Sequence, residues 1–203
     1  MTEKRDNYLI ARNRVRAVFP TYDLEKIVQK FGLDADEDYL YTDFVDLPFR
    51  VGRRDGVVSQ KENGIWTESG FEASMTLYDI LCDSKPGCRC GGRFVNAWNR
   101  VSSAPDGSLF QSRADAFAGR TAVLAAACEK MGGQPGGKGD VSFDLPVFQA
   151  LKLRLSFWDA DDEFPASLSI LWDENVLDFM RYETTFYAAG YVLTRLSGWM
   201  KRI

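Results

Sequence analysis

Strict alternation of apolar and polar residues in the last third of the chain is the feature that most constrains its fold. Three segments show it, and in each the apolar residues fall on one face of an extended strand: Val141, Phe143 and Leu145; Leu151, Leu153, Leu155 and Phe157; Leu168, Ile170 and Trp172. Because the intervening positions are more polar, each strand should be buried on one face only. The pattern predicts an antiparallel sheet covered on one side by helices.

The rest of the chain switches between helical and extended periodicity. Helices are predicted over residues 5–19, 24–31, 71–82 and 112–131 and from Glu183 onward, and further strands over 39–45 and 47–51. Ser112 with Asp115 approximates a capping box at the start of the fourth helix. Strands in two runs, with helices before, between and after them, indicate the α+β class with helical N- and C-termini.

The length of the chain predicts its domain organisation. A chain of 203 residues is long enough for one domain with a proper core, so we expect residues 1–203 to form a single domain. The helices of residues 1–33 are a candidate small appendage to it. Residues 83–111 are rich in loop-forming residues, and irregular connections of that length usually have a binding or lid role.

Composition and charge exclude several classes of function. The net charge is −4, with 25 basic and 29 acidic residues, so we expect neither a nucleic acid nor an anionic membrane as partner. The charged N-terminal segment does not resemble a secretory signal, and no run of about eighteen apolar residues is present for a membrane span. Four unevenly placed cysteines suit a reducing cytoplasm.

The chain contains no histidine. This removes Ser-His and Cys-His nucleophile pairs, histidine-ligated metals and the commonest general base near neutral pH. Any catalysis would have to use carboxylates, Lys, Tyr, Cys or a cofactor, and the sequence identifies no particular cofactor.

Three cysteines lie close together in the sequence. Cys82, Cys88 and Cys90 fall within nine residues and are candidate metal ligands for zinc or an iron–sulfur cluster. Their spacing matches none of the usual ligand runs, so ordinary reduced thiols in a loop are the favoured interpretation.

A run of acidic residues occupies the turn between the second and third alternating strands. If those strands pair as a hairpin, Asp161 and Glu163 lie at one end of the sheet. Asp173 then lies at the other end of the hairpin, about nine residues away, and each strand residue spans ~3.3 Å. Asp161 and Glu163 are therefore candidate metal ligands or acid–base groups. The alternative is structural, because Asp is favoured in turns, Asp173 is a good helix N-cap and Glu183 suits a helix start.

Trp158 stands at the entrance to that turn, on the opposite face of its strand from Leu155. It is either exposed or part of a second packed layer. Trp158 could therefore form an aromatic wall of a ligand pocket, or it could pack in the core in the ordinary way.

The same region resembles the DUF3786 family of bacterial and archaeal proteins, for which no activity is established. The resemblance rests on the Gly139-Asp140 step, on the run from Asp161 through Glu163-Phe-Pro-Ala166 and on Leu171-Trp172-Asp173, where the family pattern has Phe in place of Trp172. It implies that Asp140, Asp161, Glu163, Asp173 and Glu183 are positions of interest without assigning a role to any of them. We take Asp140, Trp158, Asp173 and Glu183 as candidate cofactor-binding residues.

Three hypotheses of function follow. The leading one is a cytoplasmic accessory protein that binds a small molecule or cofactor near the acidic turn at residues 159–163. The second is a metal-dependent hydrolase that uses the carboxylates of Asp161 and Glu163. The third is an interaction module that binds a partner protein; the sequence does not define the oligomeric state.

Overall fold

The computed structural model of the chain describes residues 2–98 and 110–203. Residues 99–109 of the predicted long loop lie outside this part. The described α-helices are α1 Thr2–Val18, α2 Leu24–Phe31, α3 Phe71–Tyr78, α4 Gln111–Phe117, α5 Thr121–Lys130, α6 Val176–Phe179 and α7 Tyr182–Met200. A 3-10 turn, Phe19–Thr21, follows α1, and a π-helical turn, Asp79–Asp83, extends α3.

The strands that the structure describes form two five-stranded sheets in which every neighbouring pair is antiparallel. The first sheet consists of β1 Asp34–Ala35, β2 Tyr39–Phe44, β3 Leu47–Gly52, β4 Val58–Glu62 and β5 Ile65–Glu68, in that order. The second has the order β6-β10-β9-β8-β7, with β6 Phe94–Val95, β7 Gln134–Pro135, β8 Val141–Phe148, β9 Leu151–Trp158 and β10 Ser167–Asp173. The α+β class and the helical ends are confirmed; the strands divide between two sheets.

The chain forms two compact units. The first contains Met1–Cys88 and Asp178–Ala188, and the second contains Arg89–Leu177 and Ala189–Ile203. Each unit holds one of the two sheets, and helix α7 begins in the first unit and ends in the second. The single-domain organisation of residues 1–203 stays a prediction.

The predicted strand faces agree with burial in the second sheet. Leu153, Leu155 and Phe157 on β9 are fully buried, whereas Lys152 and Trp158 on its other face are exposed. Strand β9 lies between β8 and β10, and Leu155 pairs with Phe143 on one side and Ile170 on the other. Period-two alternation therefore identified the core face of this sheet.

The single helix predicted over residues 112–131 is wrong, because two helices occupy this region. They are separated at Gly119, whose φ of +70° is left-handed and ends a helix. The N–H of Gly119 donates to both carboxylate oxygens of Asp159, at 2.9 and 3.1 Å, which holds the break in place. The capping box is also wrong: Phe110 occupies the N-cap, and the Asp115 carboxylate instead accepts a hydrogen bond from the Gln111 side chain.

Within the described ranges, none of the helices is both long enough and apolar enough to span a membrane.

Candidate functional site

The acidic turn between β9 and β10 is built around the side chain of Asp161. Its Oδ1 accepts hydrogen bonds from the backbone N–H groups of Glu163 at 2.9 Å and Phe164 at 2.7 Å. The Asp161 N–H in turn donates to the Phe164 carbonyl at 3.0 Å. This closed turn fixes the backbone at Phe164, although the segment is exposed.

A second carboxylate connects the start of β8 to the end of β9. Oδ2 of Asp140 accepts a hydrogen bond from the backbone N–H of Asp159 at 2.7 Å. The preceding Gly139 has a φ of +131°, and a Cβ there would lie 2.7 Å from the carbonyl oxygen of Phe157. Glycine is therefore required at this close approach, which explains the Gly-Asp step physically.

These carboxylates line a concave pocket of about 550 Å³ in the second unit. Its lining residues are Asp140, Trp158, Asp159, Asp161, Phe164, Pro165 and Ser167. Two of them are large aromatic side chains that remain open to solvent, Trp158 at 41 % and Phe164 at 66 % exposure. The described lining thus combines aromatic surface with three carboxylates and includes no Lys or Arg.

The charge state of Asp161 follows from its hydrogen bonds. The two backbone N–H donors, from Glu163 and then Phe164, lower the pKa of the Asp161 carboxyl below its ordinary value of 3.8. The group is therefore ionised throughout the physiological pH range. A general acid or base near neutral pH needs a raised carboxyl pKa, so this shift favours a binding role over proton transfer.

The other candidate carboxylates lie elsewhere. Glu163 is in the same turn but is not among the residues that line the pocket. Asp173 lies at the far end of the β9–β10 hairpin, as the strand geometry predicts. It is buried and accepts hydrogen bonds from the N–H groups of Gly91, Gly92 and Asn175, at 3.0, 2.8 and 2.9 Å. Asp173 therefore holds a loop against the strand end.

Glu183 lies in the first turn of α7 and belongs to the first unit, whereas the pocket residues belong to the second. The structure thus brings Asp140, Trp158 and Asp161 together from the set of candidates and leaves Asp173 and Glu183 outside the pocket. The cofactor-binding role of Asp140, Trp158, Asp173 and Glu183 stays a prediction, as does the catalytic or metal-binding role of Asp161.

The metal hypothesis gains no support from the described part of the chain. Among residues 2–98 and 110–203, no three or more Cys, Asp or Glu side chains form a group that could hold a metal ion. This covers the candidates Asp161, Glu163, Cys82, Cys88 and Cys90. Burial raises the pKa of the Cys82 thiol to about 12, and burial also raises the pKa of the Cys128 thiol to about 12. Both thiols are therefore protonated and weakly nucleophilic at neutral pH.

We expect Cys82 and Cys128 to resist alkylation by iodoacetamide at neutral pH in the folded protein. A pKa of about 12 instead of 9 lowers the thiolate fraction, and with it the rate, by about a thousandfold. Mass spectrometry of the timed reaction measures each cysteine separately, and the same reaction in urea is the control. Equal labelling of Cys82 in folded and unfolded protein would contradict the assignment.

Phe164, Pro165 and Ser167 are lining residues that the sequence analysis did not select. Phe164 and Pro165 belong to the Glu163-Phe-Pro-Ala166 run, so the signal was present. Phe164 is an apolar residue in an acidic turn, a position where a large side chain has no strand face to bury it. Phe164 and Trp158 together expose two aromatic side chains on one concave surface, and such a patch is a signal for a binding surface.

Comparison with known proteins identifies the family. The family model described as "Domain of unknown function (DUF3786)" matches residues 23–195, which is most of the chain and includes the pocket. No curated protein and no solved structure matches the chain. The resemblance inferred from the motifs is confirmed.

Proposed function

The chain belongs to the DUF3786 family, whose description specifies no activity. From the lining of the pocket we propose that the protein is a cytoplasmic, non-catalytic accessory protein that binds a small organic cation. The observation that carries the proposal is the lining: exposed Trp158 and Phe164 rings stand beside three carboxylates, and the lining residues that the structure describes include no Lys or Arg. A protonated amine, a guanidinium or a quaternary ammonium group fits both features.

Charge is the first argument. Asp140, Asp159 and Asp161 all line the pocket, and concentrated charge of one sign in a cleft raises the local concentration of the opposite ion. Each carboxylate has a lone pair beyond the backbone hydrogen bonds it accepts, so a ligand N–H can be bound without breaking the turn. The net charge of −4 also supports the absence of a nucleic-acid partner.

The aromatic rings are the second argument. The face of a Trp or Phe ring attracts a cation by about 0.5–1 kcal/mol at an exposed site. Burial of Trp158 and Phe164 against the alkyl part of a ligand would also remove their apolar surface from water. A hydrated metal ion has no apolar surface to bury against these rings, so the lining favours an organic cation.

The first experiment compares two ligands of the same shape and different charge. We expect choline to bind, as measured by calorimetry. Its neutral isostere 3,3-dimethylbutan-1-ol should bind with an affinity at least about fivefold lower. Asp161→Asn retains an Oδ1 acceptor for the turn but removes the charge, so choline binding should fall by about fivefold. Asp162→Asn is the matched control, because Asp162 lies in the same turn and outside the pocket lining.

A pH series extends the experiment. Because the folded-state pKa of Asp161 is lowered, its negative charge is complete at neutral pH and is lost only as pH falls through the folded pKa, below 3.8. Choline affinity should therefore be constant between about pH 5 and 8 and fall only in more acidic buffer. Equal affinity for choline and its isostere, or equal effects of Asp161→Asn and Asp162→Asn, would overturn the proposal.

The metal-dependent hydrolase has no specific observation in its favour, since the Asp161 pKa is lowered and the described residues form no metal-holding group. A thermal-shift screen with Mg²⁺, Mn²⁺, Ca²⁺ and Zn²⁺ tests it directly, because a metal bound to the folded state alone raises the melting temperature.

A further inference from the structure

A second surface with ligand-binding chemistry lies on the first sheet, within the first unit. We define the aromatic face as Tyr39, Tyr41, Arg50, Lys61 and Trp66. On β2 and β3 the alternate residues point the other way into the core, as the burial of Leu40 and Val51 shows. The residues of the aromatic face are half-buried or exposed.

Arg50 occupies the middle of this face and is held between two rings. Its guanidinium carbon lies 4.0 Å from the centroid of Tyr39 and 4.5 Å from that of Trp66. Arg50 pairs directly with Ser59 on the neighbouring strand, and the small serine lets the Trp66 ring lie across β4 toward it. Stacking on two rings fixes the plane of the guanidinium before any ligand arrives.

The guanidinium has no anionic partner within the described residues. Arg50 Nε is enclosed and makes no hydrogen bond there, and no described carboxylate forms an ion pair with the group. The acidic side chains near this face are engaged by others: Asp36 accepts from the Tyr41 hydroxyl at 2.7 Å, and Glu68 lies 3.0 Å from Arg12. Because Nε is enclosed, the donors left for an external acceptor are the two Nη groups at the end of the planar fork.

A second cation stands next to Arg50. The ammonium nitrogen of Lys61 lies 5.6 Å from the centroid of Trp66, the ring that also stacks on Arg50. Two positive charges beside one ring suit a dianion better than a monoanion. The Tyr41 ring, 6.3 Å from Trp66 and 6.1 Å from Tyr39, extends the aromatic surface on which a flat organic group could stack.

We propose that the aromatic face binds a small aryl or nucleotide-like phosphate monoester. Arg50 donates two N–H hydrogen bonds to the phosphate, and Lys61 supplies the second positive charge. The site is distinct from the acidic pocket, which lies in the other compact unit. It takes a ligand of opposite charge, so neither proposal depends on the other.

The test uses phenyl phosphate as probe, with binding measured by calorimetry and by the NMR resonance of the Arg50 Nε–H group. We expect phenyl phosphate to bind and to shift this resonance. Arg50→Lys keeps the charge and loses the planar fork, so affinity should fall by about tenfold. Lys61→Gln should weaken binding by about threefold.

Arg54→Gln is the matched control, because Arg54 is an exposed cation in the turn after β3 and lies outside the face; it should leave the affinity unchanged. Lys61 is exposed, so its replacement should not impair folding. If Arg50→Lys fails to fold, the phenyl phosphate affinity of Lys61→Gln tests the proposal. The proposal is overturned if phenyl phosphate does not bind, if benzoate binds equally well, or if Arg54→Gln has the same effect as Lys61→Gln. Tighter, salt-sensitive binding of a short oligothymidylate would overturn it in favour of a nucleic-acid surface.

Discussion

Replacing Leu155 by aspartate is expected to prevent the protein from folding. Leu155 is fully buried at the centre of β9, between Phe143 on β8 and Ile170 on β10. The change removes a core leucine, which alone costs about 2–5 kcal/mol, and adds a buried carboxylate with no partner. Together these costs approach the total stability of an ordinary domain, about 5–15 kcal/mol. Far-UV circular dichroism and size-exclusion chromatography measure the loss of the fold.

Lys152→Asp is the matched control for Leu155→Asp. Lys152 lies on the same strand three residues earlier, on the opposite, exposed face. The same aspartate there should change the free energy of unfolding by no more than about 0.5 kcal/mol. A Leu155→Asp variant that melts like the parent protein would show that the strand faces are assigned the wrong way round.

The success of the strand prediction has a simple physical origin. A central strand such as β9 has core residues on one face along its whole length, so burial imposes a period of two that needs no knowledge of the rest of the fold. The division into two sheets could not be predicted in the same way. Alternation identifies which face of β2 or β9 is buried, but it does not indicate whether two separate runs of strands join one sheet. Among the described strands, only the pairing of β6 with β10 joins segments that are not consecutive in the chain.

The incorrect prediction of one helix over residues 112–131 also arose because local periodicity does not report long-range contacts. Its apolar residues keep a helical period on both sides of Gly119, so periodicity alone favours one helix. The interruption is stabilised by Asp159, a residue forty positions later whose carboxylate holds the Gly119 N–H. A local pattern contains no trace of such a distant hydrogen bond.

The candidate site was predicted in part for similar reasons. Asp161 could be selected because aspartate in a turn is a local signal, and strand length separated it from Asp173. The pocket also needs Asp140, brought from the start of β8 by its bond to the backbone of Asp159. The Arg50 stack requires the register of four neighbouring strands, because Tyr39 lies on β2, Arg50 on β3 and Trp66 on β5, with β4 between the last two. No sequence spacing indicates that Tyr39 and Trp66 enclose Arg50.

An ion pair between the buried Asp79 and the partly exposed Arg181, both in the first unit, gives the second large expected effect. Asp79 opens the π-helical turn and is only 1 % exposed. Its Oδ2 accepts the backbone N–H of Arg181 at 2.7 Å, and its Oδ1 lies 2.6 Å from the Nε of the same arginine. The Arg181 side chain is 60 % exposed, and its Nη2 also lies 3.3 Å from Asp83. One arginine thus supplies most of the compensation for a buried negative charge.

Arg181→Met is expected to lower the free energy of unfolding by about 3 kcal/mol, because it leaves the Asp79 carboxylate buried without its cation. The double variant Asp79→Leu with Arg181→Met should recover part of that loss, since no uncompensated charge remains. Urea unfolding measures all the variants, and Lys85→Met is the control: Lys85 contacts Asp178 at 2.6 Å, but that pair is exposed and should contribute less than about 1 kcal/mol. If Arg181→Met costs no more than Lys85→Met, or if the double variant is less stable than Arg181→Met alone, the π-helical turn is held by its packing and the ion pair contributes little.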